Sequence, residues 1–341
     1  MFTIVFIFLG LSLPMYCLFG GADFGAGILE AFTSKRFREK GEKITYQAIG
    51  PVWEANHIWL ILVVVILFMG FPRIYAEVST SLHIPLTIML IGIVLRGCFF
   101  TFRHYDAIRD RSHDVYSRIF ILSSMGTSLF LGIIAGALSL GKIQVQSLSF
   151  ADRFIRPWFN YFSFSVGLFA CCIFAFLAAV YLIGEAKGEY IRRILVKQAF
   201  RANIATIIVG GLVFVAAYLD DFALIDLLVN HPFGAICLAG ATLSIPILWY
   251  CLNLGQVLMP RLLAGFQVML ILVAWLWIQF PVVVKIADAE QLTLQNSRAP
   301  QATINALGWA LIVGSCLILP ALFYLLKSFK GNAPYQAEPH H

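Results

Sequence analysis

The chain has 341 residues, 60% of them hydrophobic and 12% charged, with a mean hydropathy of +0.85. No soluble globular domain carries so little charge over so much apolar sequence, which leaves a polytopic membrane protein. The formal net charge of +6 does not point to nucleic acid, because the basic residues lie in short segments beside apolar runs, where orientation in a membrane requires them.

A bilayer core takes about 20 mainly apolar residues per helix. Nine stretches qualify in chain order: 3–32, 51–71, 77–102, 116–140, 158–184, 199–219, 233–256, 262–284 and 303–328. A closed barrel would need alternating strands of about ten residues, whereas this chain has continuous runs such as WLILVVVILFMGF at 59–71. The expectation is an all-α membrane protein with nine transmembrane helices, forming a single polytopic domain over 1–330 followed by a polar C-terminal tail, 331–341.

The first span has no basic residue before it and no charge until Asp23, so it lacks the positive lead of a signal peptide and reads as a retained helix. Its inner end carries GGADFGAG (20–27), in which Gly21 and Gly25 form GxxxG and Gly27 adds a third small site. A neighbouring backbone is expected to approach Asp23 closely there.

The second span opens with GPVWEANHIW (50–59). Trp53, Asn56, His57 and Leu60 follow i, i+3, i+4, i+7, with Glu54 one step round the helix. In the third span Arg96 and Arg103 are seven residues apart, two turns and about 10 Å along one helix face. Later spans hold little intramembrane charge. Seven cysteines fall inside spans without paired CxxC spacing, as buried thiols rather than metal ligands.

Counting Lys and Arg in alternate connections gives 17 on one side and six on the other, with Arg96 inside a span completing the 24. The positive-inside rule then places the N-terminus outside and the C-terminus in the cytoplasm. Asp23, Glu54, Arg96 and Arg103 all fall in the cytoplasmic half.

Each charge kept near mid-bilayer costs about 2.5–3.5 kcal/mol and needs a partner, water or a function. For Arg103 the structural reading is a helix end at the headgroups, and for Glu54 a carboxylate favoured by the helix N-terminus. For Asp23 and Arg96 it is a buried salt bridge. The functional reading is a line of carboxylates conducting protons inward from the cytoplasm. His57 and His83 lie at or within spans, where a histidine can ligate haem, although an imidazole hydrogen-bonded at a helix interface is the commoner role. The nucleotide-binding, nucleophile-elbow and zinc-protease motifs are absent, so soluble-style catalysis has no support. A secondary transporter with an Asp23/Arg96 coupling site is a further alternative: Pro85 and Pro246 break spans three and seven, but the second half does not mirror the charge of the first.

GGADFGAGIL, IGPVWEANHIWLI, FPRIYA, LRGCFFTFR and LTLQNSRAP, in this order, resemble the second subunit of cytochrome bd-type quinol oxidases, and the likeness runs over nearly the whole chain. It implies two four-helix bundles plus one peripheral helix in the bacterial cytoplasmic membrane. It also implies a heterodimer with subunit I, which holds two haems b, one haem d and the quinol site, and which small accessory subunits can join. The complex oxidises quinol at the outer face and reduces dioxygen to water, taking protons from the cytoplasm. This chain would hold no haem and no catalytic residue, only a structural quinone among lipids. By resemblance Asp23 and Glu54 belong to a proton route, with Trp53, Asn56, Arg96 and Arg103 supporting it; His57, which departs from the family's pattern, can itself take part in proton transfer because imidazole titrates close to neutral pH. A purely structural scaffold is the remaining alternative. The chain departs from the family's pattern in having Gly20 where many relatives carry Asp, Glu54 in place of Asp, and His57 in place of Gln or Glu. If the route persists, a water or another residue must take over from the missing carboxylate at position 20.

Overall fold

A computed structural model describes residues 1–33, 45, 53–105, 111–186 and 188–331; the side chains of 53–55, 105, 111, 323 and 325–331 lie outside the described set. So do the basic residues of 35–43, together with Arg109 and Lys187, on which part of the orientation expectation rests, and nearly all of the polar tail.

The membrane helices are α1 (Phe2–Ala31), α2 (Trp53–Gly70), α4 (His83–Tyr105), α5 (Arg111–Leu140), α7 (Tyr161–Ile183), α8 (Glu189–Leu219), α10 (Pro232–Asn253), α11 (Leu258–Gln279) and α12 (Gln301–Gly331), with short helices α3 (Pro72–Ser81), α6 (Phe150–Phe154) and α9 (Leu224–Leu228) between them. Among the described residues eight are long and apolar enough to cross a membrane, and α2 with α3 makes a ninth if that bent pair is one span. Helix α4 packs on α5, α5 on α1 and α1 on α2; α8 and α11 pack on α7, and α10 on α11. The two groups meet where α1 and α5 lie against α7, and α12 rests outside on α1 and α2. This matches two bundles with a peripheral helix.

Three boundaries differ from the hydropathy reading. The third span begins at His83, not near 77, because Pro72 has no N–H to continue α2 and the chain turns 116° into amphipathic α3 before re-entering. Helix α8 starts at Glu189, about three turns before the expected 199. The eighth span stops at Gln279: after Phe280 and Pro281, Val282–Val284 forms strand β1, antiparallel to β2 (Leu292–Thr293), with Val282 opposite Thr293 and Val284 opposite Leu292. A run of valines suits a strand as well as a membrane helix.

This hairpin caps one end of the bundle. Asn296 ties it together, donating to Gln291 O at 2.8 Å and Glu290 Oε1 at 3.1 Å. Arg73 donates to Asn296 O at 3.2 Å, and Ala299 N to Gly70 O at 2.8 Å. Thus the FPRIYA and LTLQNSRAP segments, more than 200 residues apart, form one polar clasp over the core built on Val5, Ile66, Phe71, Ile74 and Ile304.

Candidate intramembrane ion-pair site

The glycines of α1 bring its backbone onto two neighbours. A Cβ on Gly25 would stand 1.8 Å from the carbonyl oxygen of Phe174 on α7, and one on Gly27 would stand 2.3 Å from Ser124 Oγ on α5. Only hydrogen fits at these crossings, as the GxxxG reading expects. Asp23 lies between Gly25 and Gly21, whose Cβ would stand 2.5 Å from the Phe174 ring, and is 1% exposed.

Arg96, on α4, reaches Asp23 from the other side. Its Nη2 donates to Asp23 Oδ1 and, at 3.2 Å, to the Asp23 carbonyl oxygen. Two turns on, Arg103 makes a two-pronged pair with Glu30, Nη1 to Oε2 at 2.6 Å and Nη2 to Oε1 at 3.2 Å. Both pairs are buried. Phe120 of α5 stands beside both cations, its ring centre 5.4 Å from Arg96 Cζ and 4.3 Å from Arg103 Cζ. Phe24 and Phe100 flank Arg96 at 5.1 and 5.8 Å. Two acids seven apart on α1 therefore meet two arginines seven apart on α4, with an aromatic ring between the rungs. Aromatic faces attract cations, and the carboxylates supply the charge that burial demands.

Arg103 is thus not a residue reaching for headgroups. It lies inside the bundle because Glu30 offers a fork that matches the planar guanidinium. Glu30 is the member of this site that sequence reasoning missed. Its signal was available: the interval from Asp23 to Glu30 equals that from Arg96 to Arg103.

Helix α2 closes the site. Asn56 is buried and its Nδ2 donates to Phe19 O at 3.4 Å. The His57 ring stands 6.3 Å from that of Phe24, the same ring that flanks Arg96. Trp53 and Glu54 begin α2, but their side chains lie outside the described residues. His83 is elsewhere, exposed, with Nδ1 2.9 Å from Thr80 O and its ring 5.0 Å from that of Phe154. The structure brings Arg96 and His57 onto the ring of Phe24 beside Asp23, ties Asn56 to the same helix at Phe19, and sets Arg103 one rung away.

The Asp23–Arg96 pair is not saturated. Asp23 Oδ2 and Arg96 Nε and Nη1 are buried and meet no hydrogen-bond partner among the described residues. Chemically, such a group can hold a water molecule and accept or release a proton at Oδ2.

A mainly helical, multi-pass chain with two buried ion pairs between its own helices is an integral membrane protein. The comparisons with known proteins place it further. The model of the cytochrome bd terminal oxidase subunit II family matches residues 1–329, and the chain belongs to that family, as a multi-pass protein of the bacterial cytoplasmic membrane. It is 22% identical to the putative cytochrome bd menaquinol oxidase subunit II of Bacillus subtilis, over 94% of this chain and 93% of that one. It is 23% identical to the cytochrome bd-I ubiquinol oxidase subunit 2 of Escherichia coli K12, over 92% and 90%. A second Bacillus subtilis protein, cytochrome bd ubiquinol oxidase subunit 2, is 35% identical over 83 residues, 24% of each chain. Among solved structures, the bd oxidase from Geobacillus thermodenitrificans superposes with a TM-score of 0.71 at 21% identity, covering 97% of this chain and 99% of that one.

Proposed function

We propose that this chain is the second subunit of a cytochrome bd-type terminal oxidase, pairing with a larger subunit that carries the haems b, the haem d and the quinol site. The assembly oxidises quinol, reduces dioxygen to water and draws the protons from the cytoplasm. In this reading the chain has two tasks. It buttresses the haem subunit, and its inner half carries protons past Glu54, His57 and Asp23. The observation that carries the second task is the half-used Asp23–Arg96 pair: one carboxylate oxygen is held, and the other is buried yet free of any described donor.

The same pair supports a second reading, a scaffold in which acid and arginine only lock α1 to α4. Purification from membranes and a reduced-minus-oxidised spectrum test the complex; the expected result is haem bands with a co-purifying larger subunit, and a colourless single polypeptide would overturn it. Oxygen uptake then separates the tasks. Asp23→Asn or Glu54→Gln is expected to slow quinol-driven turnover while haem spectra stay normal, and unchanged turnover in both leaves the scaffold.

A further inference from the structure

The polar atoms around Asp23 include one that the proton reading above does not use. Tyr16 lies seven residues before Asp23, two turns back on the same face of α1, and is 1% exposed. Its ring lies along Gly20: a Cβ there would stand 3.1 Å from the Tyr16 ring, so the phenol fills the space a side chain at position 20 would otherwise take. Its ring meets Phe24 edge-on, centres 6.3 Å apart, and the Arg96 guanidinium stands over that same Phe24 ring, its Cζ 5.1 Å from the centre. That hydroxyl is buried with no hydrogen-bond partner among the described residues, as are Asp23 Oδ2 and Arg96 Nε and Nη1.

Four buried polar atoms beside the ring of Phe24 are costly to leave unsatisfied. Three of them are donors, the phenol O–H and two guanidinium N–H groups, and one is a carboxylate oxygen. A water molecule accepts from the first kind and donates to the second, and buried waters usually make about three such bonds.

We propose that Tyr16 is a positioning residue for Asp23: its hydroxyl, together with Arg96 Nε and Nη1 and Asp23 Oδ2, forms a site for bound water through which Asp23 exchanges its proton. The water donates to Oδ2 and accepts from Tyr16 or Arg96. When Oδ2 takes up a proton, the water gives that proton and recovers one from a hydronium ion arriving from the cytoplasmic side, which is left as water, while the phenol and the guanidinium keep theirs and fix the water's orientation. The phenol thereby supplies from one turn away the polar group that glycine at position 20 lacks. This rests on the reading of Asp23 as a proton carrier, and the test keeps the two apart.

Tyr16→Phe retains the ring against Gly20 and removes only the hydroxyl. In the purified complex, infrared difference spectra on full reduction are expected to show the Asp23 carboxyl band, identified by its loss in Asp23→Asn, at a different frequency in Tyr16→Phe. Quinol-driven oxygen uptake is expected to fall about tenfold, the loss of one hydrogen bond to a charged site, with a changed solvent isotope effect and unaltered haem content. If the band and the isotope effect stay as in the unsubstituted complex while Asp23→Asn is slow, Tyr16 has no such role and the proposal fails alone. If Asp23→Asn turns over normally, the proton reading fails, and a moved band in Tyr16→Phe then shows a hydration site without a transport task. Should Tyr16→Phe lose haem, the same band is read in Tyr16→Leu, which also lacks a donor, and a band that stays put there also overturns the proposal.

Discussion

Arg103 and Glu30 face each other fork to fork inside the bundle, at 2.6 and 3.2 Å, with the ring of Phe120 beneath the guanidinium at 4.3 Å. Truncating one member takes from the other its forked, buried partner and is destabilising, whereas replacing both by apolar residues of similar size is close to neutral. Glu30→Leu is therefore expected to lower the thermal midpoint of the purified complex more than Glu30→Leu with Arg103→Met. A double variant as damaged as the single would show that the pair does more than cancel charge.

The same logic applied to the inner rung separates folding from turnover. Asp23→Leu alone strands Arg96, so assembled complex is expected to fall sharply in membranes. Adding Arg96→Met is expected to restore assembly, judged by haem per milligram of membrane protein, while oxygen uptake stays low. Recovery of both would favour the scaffold.

Gly25 is expected to tolerate no side chain. With a Cβ 1.8 Å from the Phe174 carbonyl oxygen, Gly25→Ala must push α1 off α7, and overpacking of this kind costs about 1–3 kcal/mol or more. Gly126→Ala, where an added Cβ meets no described atom within 4 Å beyond its own stretch of helix, is the control. The yield and thermal midpoint of the two variants are expected to differ clearly.

Outside the bilayer, Asp288 accepts from the backbone N–H groups of Val145 at 2.9 Å and Gln146 at 2.8 Å. These bonds, that from Val145 foremost, hold its carboxyl below the usual range. Because the folded value is the lower one, its contribution is fully present above the ordinary carboxylate pKa of about 4 and is lost as pH falls through the lowered value. Hydrogen exchange of the segment from Gly141 to Ser149 is expected to be slow at neutral pH and faster only in strong acid. Asp288→Ala is expected to show the fast exchange already at neutral pH.

Much of this was legible in the chain. The helices α1, α2, α5, α7, α10 and α12 fall within a few residues of the hydropathy spans, because lipid leaves the backbone no other partner than itself. The seven-residue interval of Arg96 and Arg103 announced one polar face, and GGADFGAG announced a close crossing. What stayed hidden depends on neighbours. Arg103 looked like a helix end because sequence does not tell how deep that end lies among other helices, and Glu30 was passed over with it. The valines at 282–284 looked like membrane helix because a short apolar run has no period that separates strand from helix. Tyr16 gave no sign beyond its place two turns before Asp23.

The two rungs between α1 and α4 also bear on how the protein is made. The partners in each pair are 73 residues apart, so α1 is synthesised, with two acids and no cation within the helix, long before α4 leaves the ribosome. Entering lipid singly, each helix would carry two uncompensated charges, at roughly 2.5–3.5 kcal/mol apiece near the centre. The two are best released into the bilayer together, and a stop in translation before Arg96 would leave α1 lingering at the insertion machinery.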